Sequence, residues 1–156
     1  MGKEIERKFL VTNDTWKELS VDSHEIVQAY LSHRKEAIVR LRCMDNNAFI
    51  TIKGLTSDIE RNEWEYSISY DDAIEMIESG MCEGEILYKT RHIVTYRNKT
   101  WEIDVFKGNL SGLILAEIEL DNKNEIIDMP PFIGEEVSNN PAYFNSNLSA
   151  KLLSSL

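Results

Sequence analysis

Apolar and polar residues alternate with period two along most of the chain, the spacing of strands whose successive side chains point to opposite faces. The alternation predicts strands at Gly2–Val11 ("GKEIERKFLV"), Gln28–Ser32, Ile38–Met44, Ala48–Gly54, Asn62–Tyr70, Leu87–Tyr96, Thr100–Phe106 and Leu113–Leu120. Short polar turns at Asp45–Asn47, Arg97–Lys99 and Lys107–Gly112 join neighbouring strands as antiparallel hairpins. Helical spacing is rarer. Asn13–Leu19 supplies a turn or two, and Asp71–Gly80 starts with acidic capping residues and places Ile74, Ile77 and Met81 on one side. After Pro130-Pro131, a proline-initiated turn at Asn139–Phe144 precedes a closing helix at Ser146–Leu156. The class is α+β, mostly antiparallel strands with peripheral helices.

Seven of these strands have a charged side. Glu4, Glu6 and Lys8 share a face, as do Arg40 and Arg42; Thr51 and Lys53; Arg61, Glu63 and Glu65; Lys89 and Arg91; Glu102 and Asp104; Glu117 and Glu119. A half-solvated sheet with its charges in water gives the same alternation. Two features favour another arrangement. Neutral polar residues are scarce on the charged faces, and the signs are grouped by strand instead of interspersed as on a surface built for solubility. The opposite faces carry Trp64, Tyr66, Ile68 and Tyr70, then Trp101, Ile103 and Val105, too aromatic for so few helices to cover a flat sheet. A sheet curled into a barrel, charged side inward and helices outside, resolves both. Such a lumen must be satisfied by ligands. Carboxylates suit Mg2+ or Mn2+, and Lys and Arg suit phosphate oxygens, so the residues themselves point to a metal-dependent phosphoryl-transfer or phosphate-binding tunnel.

Bulk composition narrows the partners. The 156 residues fit one domain, 1–156, and the formal net charge is −10, from 17 Lys and Arg against 27 Asp and Glu. General binding to nucleic acid or to an anionic membrane needs a basic surface, so neither is expected; a small anionic ligand in a locally basic pocket is. Cys43 and Cys82 have no metal-ligand spacing and read as reduced thiols. With no signal-like N-terminus and no apolar run approaching about 18 residues, the expected compartment is the cytoplasm.

The opening "EIERKFLV" carries an E-x-E-x-K arrangement, followed in order by "QAYLS", "VRLR", "TIKG", "RNEWEYSI", "LYKTRH", "WEIDVFKGNLSGLILAEIEL" and "IGEEVSNNPAYFNSNLS". Together these motifs resemble the CYTH domain, the fold of the triphosphate tunnel metalloenzymes, and they cover Glu4 to Ser149. The resemblance is greatest to small bacterial tripolyphosphatase-like members. It implies an eight-stranded antiparallel β-barrel binding triphosphates lengthwise. It further implies that Glu4, Glu6, Glu117 and Glu119, with Asp104, hold the divalent ion. Lys8, Arg40, Arg42, Lys53, Lys89 and Arg91 would grip the phosphate chain, with Arg61 as a further contact. Glu63 and Glu65 would hold a second ion or orient the attacking water, and Lys8 would act beside them.

The function expected is a divalent-metal triphosphatase acting on inorganic tripolyphosphate, with nucleoside triphosphates as further substrates. The alternatives are a class IV-type adenylate cyclase and a polyphosphate- or nucleotide-binding module without turnover. An acidic barrel with outer helices could pair as a homodimer through an apolar patch. His24, His33 and His92 are expected to do no chemistry and Trp16, Trp64 and Trp101 to pack in the core; Tyr30 shares a face with Gln28 and Ser32, so it is expected to be structural, or to touch substrate if that face points inward. Glu83–Glu85 is expected in a solvated loop, and Glu135-Glu136 at a solvated strand end.

Overall fold

The first strand closes the sheet on itself. In the computed structural model, which describes residues 2–54 and 59–149, nine strands run β1 (Gly2–Val11), β2 (Ser20–Arg34), β3 (Ala37–Met44), β4 (Asn47–Gly54), β5 (Glu60–Ile68), β6 (Glu83–Tyr96), β7 (Lys99–Phe106), β8 (Ile114–Glu119) and β9 (Ile133–Glu136). Their order is β5-β4-β3-β2-β6-β7-β8-β1-β9, with β1 also paired to β5. That extra pairing, Gly2↔Glu63 through Ile5↔Glu60, turns eight antiparallel strands into a closed barrel and abolishes their free edges. Strand β1 is shared along its length. Its first half pairs with β5, its second half pairs with β8 from Glu6↔Glu119 to Leu10↔Leu115, and the short β9 lies on its other side.

Turn chemistry fits the sequence locally. Tyr96 pairs with Lys99 around Arg97 and Asn98, both at positive φ (46° and 65°), the two-residue turn whose twist matches a hairpin. At Gly134 a Cβ would come within 2.7 Å of the Thr12 side chain, so β9 needs glycine there to lie against β1.

The apolar core lies outside the barrel wall and at one end of it. Helix α1 (Tyr70–Glu78) is capped by Ser69, whose hydroxyl accepts from the Asp72 amide at 3.2 Å. It lays Ala73 and Ile77 on Ala29, Leu41, Cys43 and Ala48 of β2–β4. The outer faces of β1, β6, β7 and β8 pack Phe9, Val94, Trp101, Ile103 and Ile118 under Trp16, Ile127 and Phe132. A third cluster joins Tyr30, Leu87, Phe106, Leu110 and Leu115 to Val137 and to Leu148 of helix α2 (Asn145–Ser149).

Several expectations need correcting. Strand β2 begins at Ser20, eight residues before the predicted Gln28, because its exposed first half carries polar residues that mask the alternation. Glu83–Glu85 starts β6 instead of forming a loop, since Glu83 pairs across with Tyr30. Met81 is 56% exposed beyond the end of α1, and Trp64 is 37% exposed because no helix of the described residues covers the outer face of β5. Of the predicted closing helix Ser146–Leu156, residues 150–156 lie outside the described residues.

Candidate functional site in the barrel interior

Cross-strand partners share a face, so the register assembles the interior row by row. Tyr30, Arg40, Thr51 and Glu65 form one row across β2–β5. Ile38, Lys53 and Glu63 form the next, and Arg61 pairs with Glu4. On the other wall Lys8 pairs with Glu117 and Glu117 with Glu102, while Arg91 pairs with Asp104.

These rows enclose a cavity lined by Glu4, Glu6, Lys8, Tyr30, Arg40, Lys53 and Arg61 from the barrel and by Ser138, Phe144, Asn145 and Ser146 from the C-terminal segment. Of the residues expected at the site, Glu4, Glu6, Lys8, Arg40, Lys53 and Arg61 therefore meet around one space. Lys53 Nζ donates to Glu4 Oε1 at 2.9 Å and stands 3.5 Å from Glu63. Arg40 donates through Nη2 to Thr51 Oγ1 at 3.1 Å and to Glu65 at 3.4 Å, and Thr51 donates to the same carboxylate at 2.7 Å. The Arg40 Nε is buried with no hydrogen-bond partner. Lys8 Nζ donates to the Tyr143 carbonyl at 3.0 Å, tying the strand to the segment that crosses the barrel end.

A second set of expected residues lies beside this cavity, in the barrel's buried interior. Arg91 holds Asp104 with two donors, at 2.8 and 2.9 Å, and reaches Glu102 and Glu117 at 3.3 and 3.4 Å. Lys89 Nζ stands 2.8 Å from Asp104 Oδ2 in an ion-pair contact too poorly angled to count as a hydrogen bond. Burial pushes the Lys89 ammonium down to about 7, with Arg91 and Arg42 adding to the effect against Asp104. Burial also works against the Asp104 charge, but Arg91 and Lys89 outweigh it and hold the carboxyl at about 2. Glu119 pairs with Glu6 and is exposed at the rim.

The carboxyl groups supply oxygen donors only, the chemistry of Mg2+ and Mn2+. Among the described residues no group of three or more His, Cys, Asp or Glu is already gathered into an ion cage. The donors nonetheless crowd in a way a divalent charge would relieve. Burial, and then the charges of Glu117 and Glu4, push the Glu6 carboxyl well above its usual range. For Glu117 burial acts the same way, but Lys8 and Arg91 outweigh it and keep that carboxyl ionised. The donor set thus fits a hard divalent ion.

Comparison with known proteins bears directly on this barrel. The CYTH domain family model matches residues 2–151. The chain belongs to the CYTH domain family. This CYTH protein is 40% identical over 148 residues to an inorganic triphosphatase of Acetivibrio thermocellus, covering 95% of this chain and 94% of the relative. It is 33% identical over 153 residues to an inorganic triphosphatase of Nitrosomonas europaea, covering 96% and 98%. The solved structure of the inorganic triphosphatase NE1496 superposes with a TM-score of 0.69 at 31% identity, over 96% of both chains. Among the described residues of the CYTH protein, no helix is long and apolar enough to cross a membrane.

Sequence reasoning missed the cavity's contribution from the C-terminal segment. Phe144 sits under the Arg61 guanidinium at 5.3 Å, and Asn145 and Ser146 complete that wall. Nothing in strand alternation marks such residues, because they come from a turn and a five-residue helix. Tyr30, expected to be structural, also lines the cavity. The signal in the sequence was the face it shares with Gln28 and Ser32, which the register turns inward beside Arg40.

Proposed function

We propose that this protein is a divalent-metal-dependent triphosphatase that hydrolyses a phosphoanhydride bond of inorganic tripolyphosphate, with nucleoside triphosphates as further substrates. One observation carries the reading. Lys8, Arg40, Lys53 and Arg61 converge with Glu4 and Glu6 on one cavity inside a chain whose overall charge is −10. Cations enclosed in a strongly acidic protein suit a compact polyanion, and the inorganic triphosphatase relatives support the same substrate class.

In this reading Lys8, Arg40, Lys53 and Arg61 bind the phosphate chain, and the free Nε of Arg40 accounts for one phosphate oxygen. Arg42, Lys89 and Arg91 add positive potential from the adjoining interior. Glu4, Glu6, Glu117 and Glu119 would hold Mg2+ or Mn2+, which neutralises charge on the phosphate oxygens when bound. Both Asp104 oxygens are engaged by Arg91 and Lys89, so we assign Asp104 to positioning those cations instead of to the ion. Glu63 and Glu65 orient the attacking water. Burial, and then Glu4, raise the Glu63 carboxyl, which suits it to take the proton the water loses as its oxygen bonds to phosphorus and the bridging P–O bond breaks. Unpaired Cys43 and Cys82 agree with action in the cytoplasm.

Phosphate release from tripolyphosphate and from ATP, each with Mg2+ or Mn2+, tests the proposal. Orthophosphate from tripolyphosphate is the expected result. Cyclic AMP with pyrophosphate from ATP would make it a cyclase instead, and binding without any product would make it a binding module.

A further inference from the structure

His33 does no chemistry in the cavity, yet it stands where the C-terminal segment meets the barrel wall. Its Nδ1 lies 3.1 Å from Glu83 Oε1 on β6, and its Nε2 lies 3.3 Å from Ser149 Oγ in α2. Its backbone N–H also donates to Glu83 Oε1, at 3.3 Å. Ser149, His33 and Glu83 follow the order of nucleophile, base and orienting acid. Ser149, however, is fully buried and its hydroxyl donates to the Glu85 carbonyl at 2.7 Å, so it is no nucleophile.

That committed hydroxyl fixes the protons on the ring. With its hydrogen on the Glu85 carbonyl, Ser149 Oγ can only accept from His33, so Nε2 carries a hydrogen. The Glu83 carboxylate also only accepts, so Nδ1 must carry one as well. A neutral ring has a single N–H and leaves one of the two contacts unmade. Only the imidazolium makes both. Around the ring, β6 brings Glu83 and, two residues on, Glu85; β3 brings Ile38, the cross-strand partner of His33; α2 brings Ser149 and no charged residue. On β2 itself Arg34 is engaged at 3.8 Å by Glu36 of the next turn, which also carries Lys35. Tyr30 offers its ring face, with centroids 5.2 Å apart, while its hydroxyl accepts from Gln28.

We propose that protonated His33 is a latch that holds α2 to the barrel and so positions the C-terminal wall of the cavity. Asn145 and Ser146, which line the cavity, belong to the same short helix as Ser149. Lys8 holds the segment at one end through the Tyr143 carbonyl, and His33 holds it at the other. The wall is fixed while the ring is charged and loosens as the pH rises and the ring gives up a proton. The cavity's occupant rests on the triphosphatase reading; the latch does not. No group of α2 neutralises phosphate charge or orients the attacking water, so loosening it raises KM and spares kcat.

The test compares full-length wild type, His33→Gln and Glu83→Gln at about pH 6 and about pH 8, on either side of the usual histidine titration. Two quantities are read: exchange of the Asn147 and Leu148 amides with water, expressed as protection factors, and KM and kcat for tripolyphosphate. At the lower pH, His33→Gln should show a KM about fivefold to tenfold above wild type, the scale of one net hydrogen bond, with both amides less protected. At the higher pH the two proteins should coincide, with kcat alike throughout. Glu83→Gln separates a latch from packing. Its side-chain amide can donate to an unprotonated Nδ1 while Nε2 still donates to Ser149, so a neutral ring keeps both contacts. Protection in that variant should persist at the higher pH, where wild type has lost it. A His33→Gln deficit equal at both pH values would overturn the proposal, as would a Glu83→Gln protein that loses protection with pH as wild type does. Should His33→Gln fail to fold, the Glu83→Gln comparison decides alone. Absence of hydrolysis by wild type would sink the triphosphatase reading, and amide exchange would still decide the latch.

Discussion

Arg91 grips both oxygens of Asp104, through Nε at 2.8 Å and Nη2 at 2.9 Å, with Asp104 only 1% exposed. Lys89 closes on the same carboxylate from another side. Asp104→Asn removes the carboxylate charge between them and leaves the two buried cations with only the more distant Glu102 and Glu117. Breaking a buried pair in this way costs about 3–5 kcal/mol. Urea unfolding should read that loss, and a midpoint equal to wild type would show the pair to be energetically idle.

Lys89 itself gives stability a pH dependence whose sign is fixed. Its folded value, about 7, lies below the ordinary lysine value of 10.5. Between the two, the unfolded chain holds a proton that the folded chain has released, so stability rises with pH across that window. Below pH 7 the folded protein carries the whole cost of the buried ammonium. Lys89→Met is accordingly expected to be more stable than wild type in acid, with the advantage narrowing toward pH 10.5. Unfolding midpoints at about pH 6 and pH 9 measure it, and an advantage that widens with pH contradicts the assignment.

Glu6 and Arg42 test function separately from fold. Burial and neighbouring carboxyls strain the ionised form of Glu6, and burial with Arg40 and Arg91 lowers Arg42 to about 10. Removing either relieves like-charge crowding. Glu6→Ala and Arg42→Ala should each lose hydrolysis, on the order of a hundredfold, while circular dichroism and thermal midpoint stay near wild type. Unfolding of either at room temperature would count against these roles.

On the outside, Glu136 accepts from Arg7 at 2.9 and 2.7 Å and thereby pins β9 to β1. The pair is partly exposed, so solvent screening leaves about 0.5–1 kcal/mol to be lost in Glu136→Gln. The Arg7 hydrogen bonds, against a smaller opposing effect of burial, hold Glu136 below its ordinary value of 4.5. Its stabilisation is therefore complete above pH 4.5 and fades as the pH falls through the lower folded value. Denaturation of both proteins across acid pH should show the curves converging.

The barrel was legible because a closed sheet writes its inside and outside as a strict alternation. Arg40, Lys53 and Glu4 could be placed on one face from letters alone, and they meet around one cavity. What alternation cannot encode is neighbourhood across strands. Asp104 had the same appearance as Glu117 in sequence, yet register sets it opposite Arg91 and engages both of its oxygens. Nor does alternation reach the tail, where Phe144 and Asn145 enter the cavity through a turn whose position depends on Tyr143 meeting Lys8. Trp64 failed for a third reason. Its pattern promised burial, but no element of the described chain passes over that side of β5.

The shared use of β1 also sets the order of assembly. Glu6 must find Glu119 to join β1 to β8, and Arg7 bonds a residue 129 positions away on β9, so β1 is held by partners far along the chain. Contacts of such separation give a high contact order, which slows folding to the millisecond-to-second range of all-β proteins. A ribosome must therefore release the chain as far as β8, whose Glu119 meets Glu6, before the barrel can shut, and until then the ionic lining stands open to water.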